Sequence, residues 1–99
     1  MKSSFSDIIK DEKPVLVDFY ADWCGPCKTL APILKDVKAE LGDGVKIVKI
    51  DVDKNQELAG KYHVRGVPTM MLFKNGQQLW RQSGVLQKAE IVNIINSNS

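Results

Sequence analysis

The stretch ADWCGPCKTL, residues 21–30, holds both cysteines of the 99-residue chain, Cys24 and Cys27, with Trp23 directly in front. Two thiols so close can form a structural disulfide, half of a metal site, or a dithiol that exchanges electrons with other disulfides. The three demand different surroundings. A disulfide closing so small a loop constrains the unfolded chain little and makes a poor staple. Structural zinc takes four ligands, usually Cys and His. The chain has two Cys and one His, His63, so a zinc site within it would need carboxylates. Exchange chemistry needs one activated sulfur that attacks and a second that resolves the mixed disulfide.

The elements predicted around the pair supply that asymmetry. PVLVDFY, residues 14–20, is a nearly continuous apolar run, as expected of a strand buried on both faces. Behind the motif, Cys27, Leu30, Leu34, Val37 and Leu41 recur at helical spacing, ended by Gly42 and Gly44. Cys27 is in phase with that stripe and faces inward. Cys24 lies one turn earlier, at the helix start and toward solvent. Pro26 suits the first turn, where its missing N–H costs nothing. Pro32, inside the helix, is expected to kink it. Free N–H groups and the helix dipole favour a thiolate at Cys24 and lower its pKa.

A second buried strand, VKIVKIDV at residues 45–52, makes a strand–helix–strand unit with parallel strands. A short helix follows, with Asn55 as its cap and Leu58, Ala59 and Tyr62 inward. Residues 69–73 and 77–83 flank Asn75-Gly76, the strongest short hairpin signal because both turn positions need positive φ. Ile91, Val92 and Ile95 mark a last helix with Gln87 as a weak cap. At the start, Ser4 and Asp7 fit a capping box ahead of Phe5, Ile8 and Ile9. Met70, Met71 and Trp80 read as packing residues. The prediction is an α/β chain, one domain over residues 1–99, with a mixed sheet covered by helices.

Two charged residues break the apolar pattern. Asp18 interrupts the first strand, so burial should raise its pKa and leave it a proton carrier near neutral pH. Lys49 shares one face of the second strand with Ile47, and the natural partner for its charge is Asp18 on the neighbouring strand.

WCGPCK within VDFYADWCGPCK, with VRGVPT, FKNG and the Gly84 segment in matching order, resembles the thioredoxin family over nearly the whole chain. That resemblance implies a thioredoxin fold and a protein-disulfide oxidoreductase: Cys24 attacks, Cys27 resolves, and Asp18 assists proton transfer, with a lysine at position 49. It implies a cis bond before Pro68, with Val67 offering its backbone to an extended substrate. Trp23, Gly25, Pro26, Val67, Pro68, Gly84 and Val85 would form a flat apolar surface for disulfide-containing proteins. No cofactor is held; a flavoprotein thioredoxin reductase drawing on NADPH recharges the pair. The family usually opens with a strand, but only Met1 and Lys2 precede Ser3, so a short or absent first strand and a sheet of about four are expected. Tyr20 stands where many relatives carry tryptophan.

Other readings leave weaker traces. The formal charge of +2, from 14 basic and 12 acidic residues, is scattered, which gives no sign of a nucleic-acid partner. DVDKN, at residues 51–55, begins like a calcium loop, but Gln56 and Tyr62 occupy the positions that need Gly and Glu. No apolar run approaches a membrane span. The first residues lack a signal-peptide core, so a cytoplasmic, monomeric protein is expected. An oxidase or isomerase of an oxidising compartment and a pure interaction module are the competing functions.

Overall fold

The computed structural model describes residues 4–99. The expected loss of a first strand concerns residues 1–3 and lies outside them. A four-residue helix α1 (Phe5–Ile8) leads into β1 (Val15–Tyr20), then α2 (Gly25–Leu41), a single 3-10 turn (Gly42–Gly44) and β2 (Lys46–Asp51). α3 (Gln56–Lys61), β3 (Thr69–Lys74), β4 (Gln77–Ser83) and α4 (Lys88–Ser97) complete the chain. The four strands lie in the order β2-β1-β3-β4, with β1 and β2 parallel and the other pairs antiparallel. The mixed, roughly four-stranded sheet read from sequence is the sheet observed.

Alternation along β1 divides the interior in two. Leu16, with Met70 and Leu72, faces α2 and α4 and packs on Leu30, Leu34, Val37, Ile91 and Ile95. Val15, Val17 and Phe19 face the other way, with Met71 and Phe73, toward α1 and α3. There Phe5 meets Phe73 and Tyr62 edge-on, with ring centroids 5.7 and 5.3 Å apart. Asp18, next in register after Leu16 on its face, therefore belongs to the α2 layer. Trp80 is half-buried against that layer, and both strand methionines are fully buried.

The caps follow the sequence unevenly. Ser4 caps α1: its Oγ accepts the Asp7 N–H at 3.3 Å and donates to Asp7 Oδ2 at 2.9 Å. Asn55 does not cap α3 with its side chain. Its Nδ2 donates instead to the Asp51 carbonyl at 2.9 Å, fixing the loop before the helix. At α4 the Gln87 N–H reaches Glu90 Oε1 at 3.5 Å. α2 runs on through Pro32, and Lys38 covers its end by donating to the Gly42 and Val45 carbonyls at 2.8 and 2.6 Å.

The hairpin turn has the predicted backbone: φ is +54° at Asn75 and +81° at Gly76. It is also anchored. The Asn75 N–H donates to the Asp11 carbonyl and the Gly76 N–H to the Ile9 carbonyl, each at 2.9 Å. A side chain at Gly76 would meet only Lys10 Cγ at 3.7 Å, so the cost of adding one is conformational rather than steric. Gly76→Ala is expected to lower stability by about 1–2 kcal/mol, read as a fall in denaturant midpoint at unchanged slope. An unchanged midpoint would show that the turn does not need glycine.

Candidate functional site

β1 ends at Tyr20, and the chain turns back so that the Cys24 N–H donates to the Ala21 carbonyl at 3.1 Å. Cys24 is then the N-cap of α2, extended at φ −87° and ψ 112°. A cap needs a side-chain acceptor for the free N–H groups of the first turn, and Ser, Thr, Asp or Asn usually provides it. Here sulfur does: Cys24 Sγ accepts the Cys27 N–H at 3.1 Å. Gly25 and Pro26 occupy the exposed first turn, and Cys27 begins the buried stripe. The two cysteines form a disulfide, with Cα atoms 5.3 Å apart.

Neither sulfur protrudes. Cys24 is 3% exposed and Cys27 5%, which corrects the expectation of an exposed Cys24 beside a sheltered Cys27. The cause is the loop before β3. Val67 lies against the pair, its carbonyl oxygen 3.6 Å from Cys24 Sγ, and Tyr20, Ala21 and Val52 close the other sides. The Val67–Pro68 bond is cis, as the resemblance implied. The Pro68 carbonyl accepts the Gly84 N–H at 2.9 Å, so the loop after β4 is tied to the loop before β3. Gly84 has φ +98°, a conformation that suits glycine. Val85, half-buried, packs on the α2 and α4 core. Residues 23–27, 67–68 and 84–85, far apart in sequence, thus meet at one end of the sheet.

Trp23 is not a core residue: it is 70% exposed, and its indole N–H donates to Asp53 Oδ2 at 2.8 Å. With Val52, Val64, Arg65, Gly66 and Val67 it lines a cleft of about 100 Å³. The surface is therefore less uniformly apolar than expected, since Arg65 and Asp53 border it. Asp53 escaped the sequence reading because its segment resembled only a failed calcium loop. Asp51, of the same segment, accepts the Asp53 and Lys54 N–H groups at 2.9 and 3.4 Å and so shapes the turn that presents Asp53. His63 is exposed in a turn at φ +54°, and no cluster that could hold a metal occurs among the described residues.

A second cleft, of about 180 Å³, opens beside Cys27 and is lined by Tyr20, Ala21, Asp22, Lys28, Ala31 and Lys49. Asp18, 1% exposed, lies in the same layer, and neither carboxylate oxygen has a hydrogen-bond partner among the described residues. Burial pushes its pKa up from 3.8 to about 6, against the pull of the Lys49 charge. Asp18 and Lys49 are register partners on adjacent strands, yet they form no ion pair. Lys49 is exposed, and its ammonium lies 5.0 Å from the centre of the Tyr20 ring. The expected pairing is corrected accordingly. Among the described residues β2 is an edge strand, so the lysine stem reaches solvent and an aromatic face without surrendering hydration.

The thioredoxin family profile matches residues 1–97. A thioredoxin of Rickettsia bellii is 43% identical over 98% of this chain and 92% of its own length. A chloroplastic thioredoxin Y of rice is 46% identical over 96% of the chain, which spans 57% of that longer protein. Among solved structures, a mutant thioredoxin of Halobacterium salinarum superposes with a TM-score of 0.85 at 40% identity, covering 98% of this chain and 84% of the other.

The raised pKa of Asp18 has a thermodynamic consequence. The unfolded chain releases this proton near 3.8 and the folded one near 6. Stability attached to the neutral carboxyl is complete below 3.8 and is lost as pH rises through 6. The loss approaches about 3 kcal/mol, at 1.36 kcal/mol per pKa unit. Asp18→Asn, neutral at every pH, is expected to be more stable than the parent at pH 7, with the difference shrinking toward pH 4. Parallel stability–pH curves for the two proteins would show that Asp18 ionises normally.

Proposed function

This chain belongs to the thioredoxin family, and from that premise we propose that it is a monomeric cytoplasmic reductant of protein disulfides, recharged by a flavoprotein reductase drawing on NADPH. It is a protein-disulfide oxidoreductase working by thiol–disulfide exchange through Cys24 and Cys27, and thioredoxins need no bound cofactor. The observation that carries the exchange chemistry is the N-cap, while the direction rests on Gly25-Pro26 between the cysteines, the pair that resembles reductants. The position that holds Cys24 Sγ opposite the Cys27 N–H favours the thiolate once the disulfide is open.

In the reduced protein the Cys24 thiolate attacks one sulfur of a substrate disulfide. A mixed disulfide forms and the substrate's other sulfur leaves as a thiolate, taking up a proton. The Cys27 thiol then passes its proton to the Asp18 carboxylate, and its sulfur attacks Cys24 Sγ. The second substrate sulfur is released, and two electrons have moved from the chain to the substrate. A base near pH 6 in a dry layer suits that proton, because it is largely ionised at neutral pH and still basic enough to accept. Trp23, Gly25, Pro26, Val67, Pro68, Gly84 and Val85 receive the substrate. The Val67 N–H, which has no backbone partner among the described residues, is placed to bond an extended segment. Lys49, at the mouth of the cleft beside Cys27, biases the charge there.

The equilibrium potential of the pair against a thiol buffer tests the direction. A value at or below about −220 mV, the cytosolic glutathione range, is expected. A value well above it would make the chain an oxidant or isomerase. Cys27→Ser should accumulate the mixed disulfide on Cys24, whereas Cys24→Ser should form none. Asp18→Asn should slow resolution by about a hundredfold or more. An unchanged resolution rate would remove Asp18 from the proton path.

A further inference from the structure

β2 is an edge of the sheet, and no strand pairs with its outer side among the described residues. The Lys46 N–H donates to Pro14 and the Val52 N–H to Tyr20, each at 2.9 Å. Backbone groups alternate along a strand, so those of Ile47, Lys49 and Asp51 turn outward. The side chains of Ile47 and Lys49, on the α2 side, bound with Ala31, Leu34, Lys35 and Lys38 a cleft of about 200 Å³. Its floor is apolar, three of its walls are lysines, and no carboxylate lines it. Ala31 and Lys49 also line the cleft beside Cys27, so the two adjoin, with Lys28 at the disulfide end. Lys28, Lys35 and Lys49 form no ion pair among the described residues.

We propose that this edge binds an extended acidic segment of a protein partner, which adds to β2 as a further strand and sets its carboxylates among Lys28, Lys35 and Lys49. Main-chain bonds to Ile47 and Lys49 supply a backbone register, and the alternate side chains turn to the opposite face, beside the half-buried Val48 and Ile50. The charge decides between occupants. A second copy would bring one lysine-lined cleft alongside another, like charge facing like. A nucleic acid would satisfy the lysines but leave the outward N–H and C=O groups of β2 without strand partners. Only an acidic strand satisfies both. The proposal rests on the reductase reading solely in identifying the partner as a disulfide-bearing protein, delivered to the site by the cleft that ends at Cys27.

The test uses the oxidised full chain and a peptide as long as β2 that alternates glutamate and valine. It needs no turnover, so its outcome is independent of the measured potential. Saturable amide shifts at Ala31, Ile47 and Lys49 are expected, together with slowed hydrogen exchange at the Ile47 and Lys49 amides. Binding should weaken with added salt, and Lys35→Glu should weaken it by about threefold or more while leaving reduction of a small aromatic disulfide unchanged. Three results would overturn the proposal. The Ile47 and Lys49 amides could be protected already in the free chain, showing the edge to be covered by the chain itself or by a second copy. A lysine–valine peptide could bind equally well. An oligothymidylate could bind as tightly without slowing exchange at either amide, reducing the cleft to a cluster of charge.

Discussion

The contact on which the site depends is the hydrogen bond from the Cys27 N–H to Cys24 Sγ. It places a sulfur where helices ordinarily put an oxygen, so one atom both finishes a helix and carries the chemistry. Helix formation thereby fixes the spacing of the pair, and the buried stripe from Cys27 to Val37 fixes the helix on the sheet. The loop holding Val67 can press on the sulfurs only because β3 pairs with β1 in a register that sets Thr69 opposite Phe19. The sheet, the helix and the disulfide are consequently one mechanical unit, and disturbing any of them moves the sulfurs.

Asp18 shows the opposite economy. A carboxyl that is buried without a hydrogen bond weakens the fold at neutral pH, and a leucine-like residue there would pack better. In the proposed exchange it would collect the Cys27 proton on a carboxyl only 1% exposed. Lys49 moderates the charge without quenching it: it stands on the adjacent strand but spends its ammonium on the Tyr20 ring and solvent. A direct ion pair would hold Asp18 ionised.

Much of this was legible in the residues. Apolar runs located the first two described strands and the helical stripe the long helix, because apolar patterning follows directly from which faces are buried. Asn75-Gly76 announced its turn because few residues tolerate its dihedral angles. The legible part ended where side chains choose among several polar partners. Nothing local told Asn55 to bond Asp51 rather than cap α3, or told Trp23 to find Asp53 thirty positions away. The pairing expected of Lys49 fails because strand alternation says which face a residue occupies but not whether its strand lies at an edge. The place of Cys24 on the helix predicts exposure, whereas the loop that covers it comes from forty-three positions further on.

The anchored hairpin turn makes α1 less independent than its length suggests. A helix of four residues has almost no stability of its own. Its aromatic contact through Phe5 and the bonds from Asn75 and Gly76 to the segment that follows it hold it to the sheet. The amides of Asn75 and Gly76 can exchange with solvent hydrogen only when that segment lifts away. They are therefore a built-in gauge of how firmly the beginning of the chain is docked, read at the end of the molecule farthest from the sulfurs.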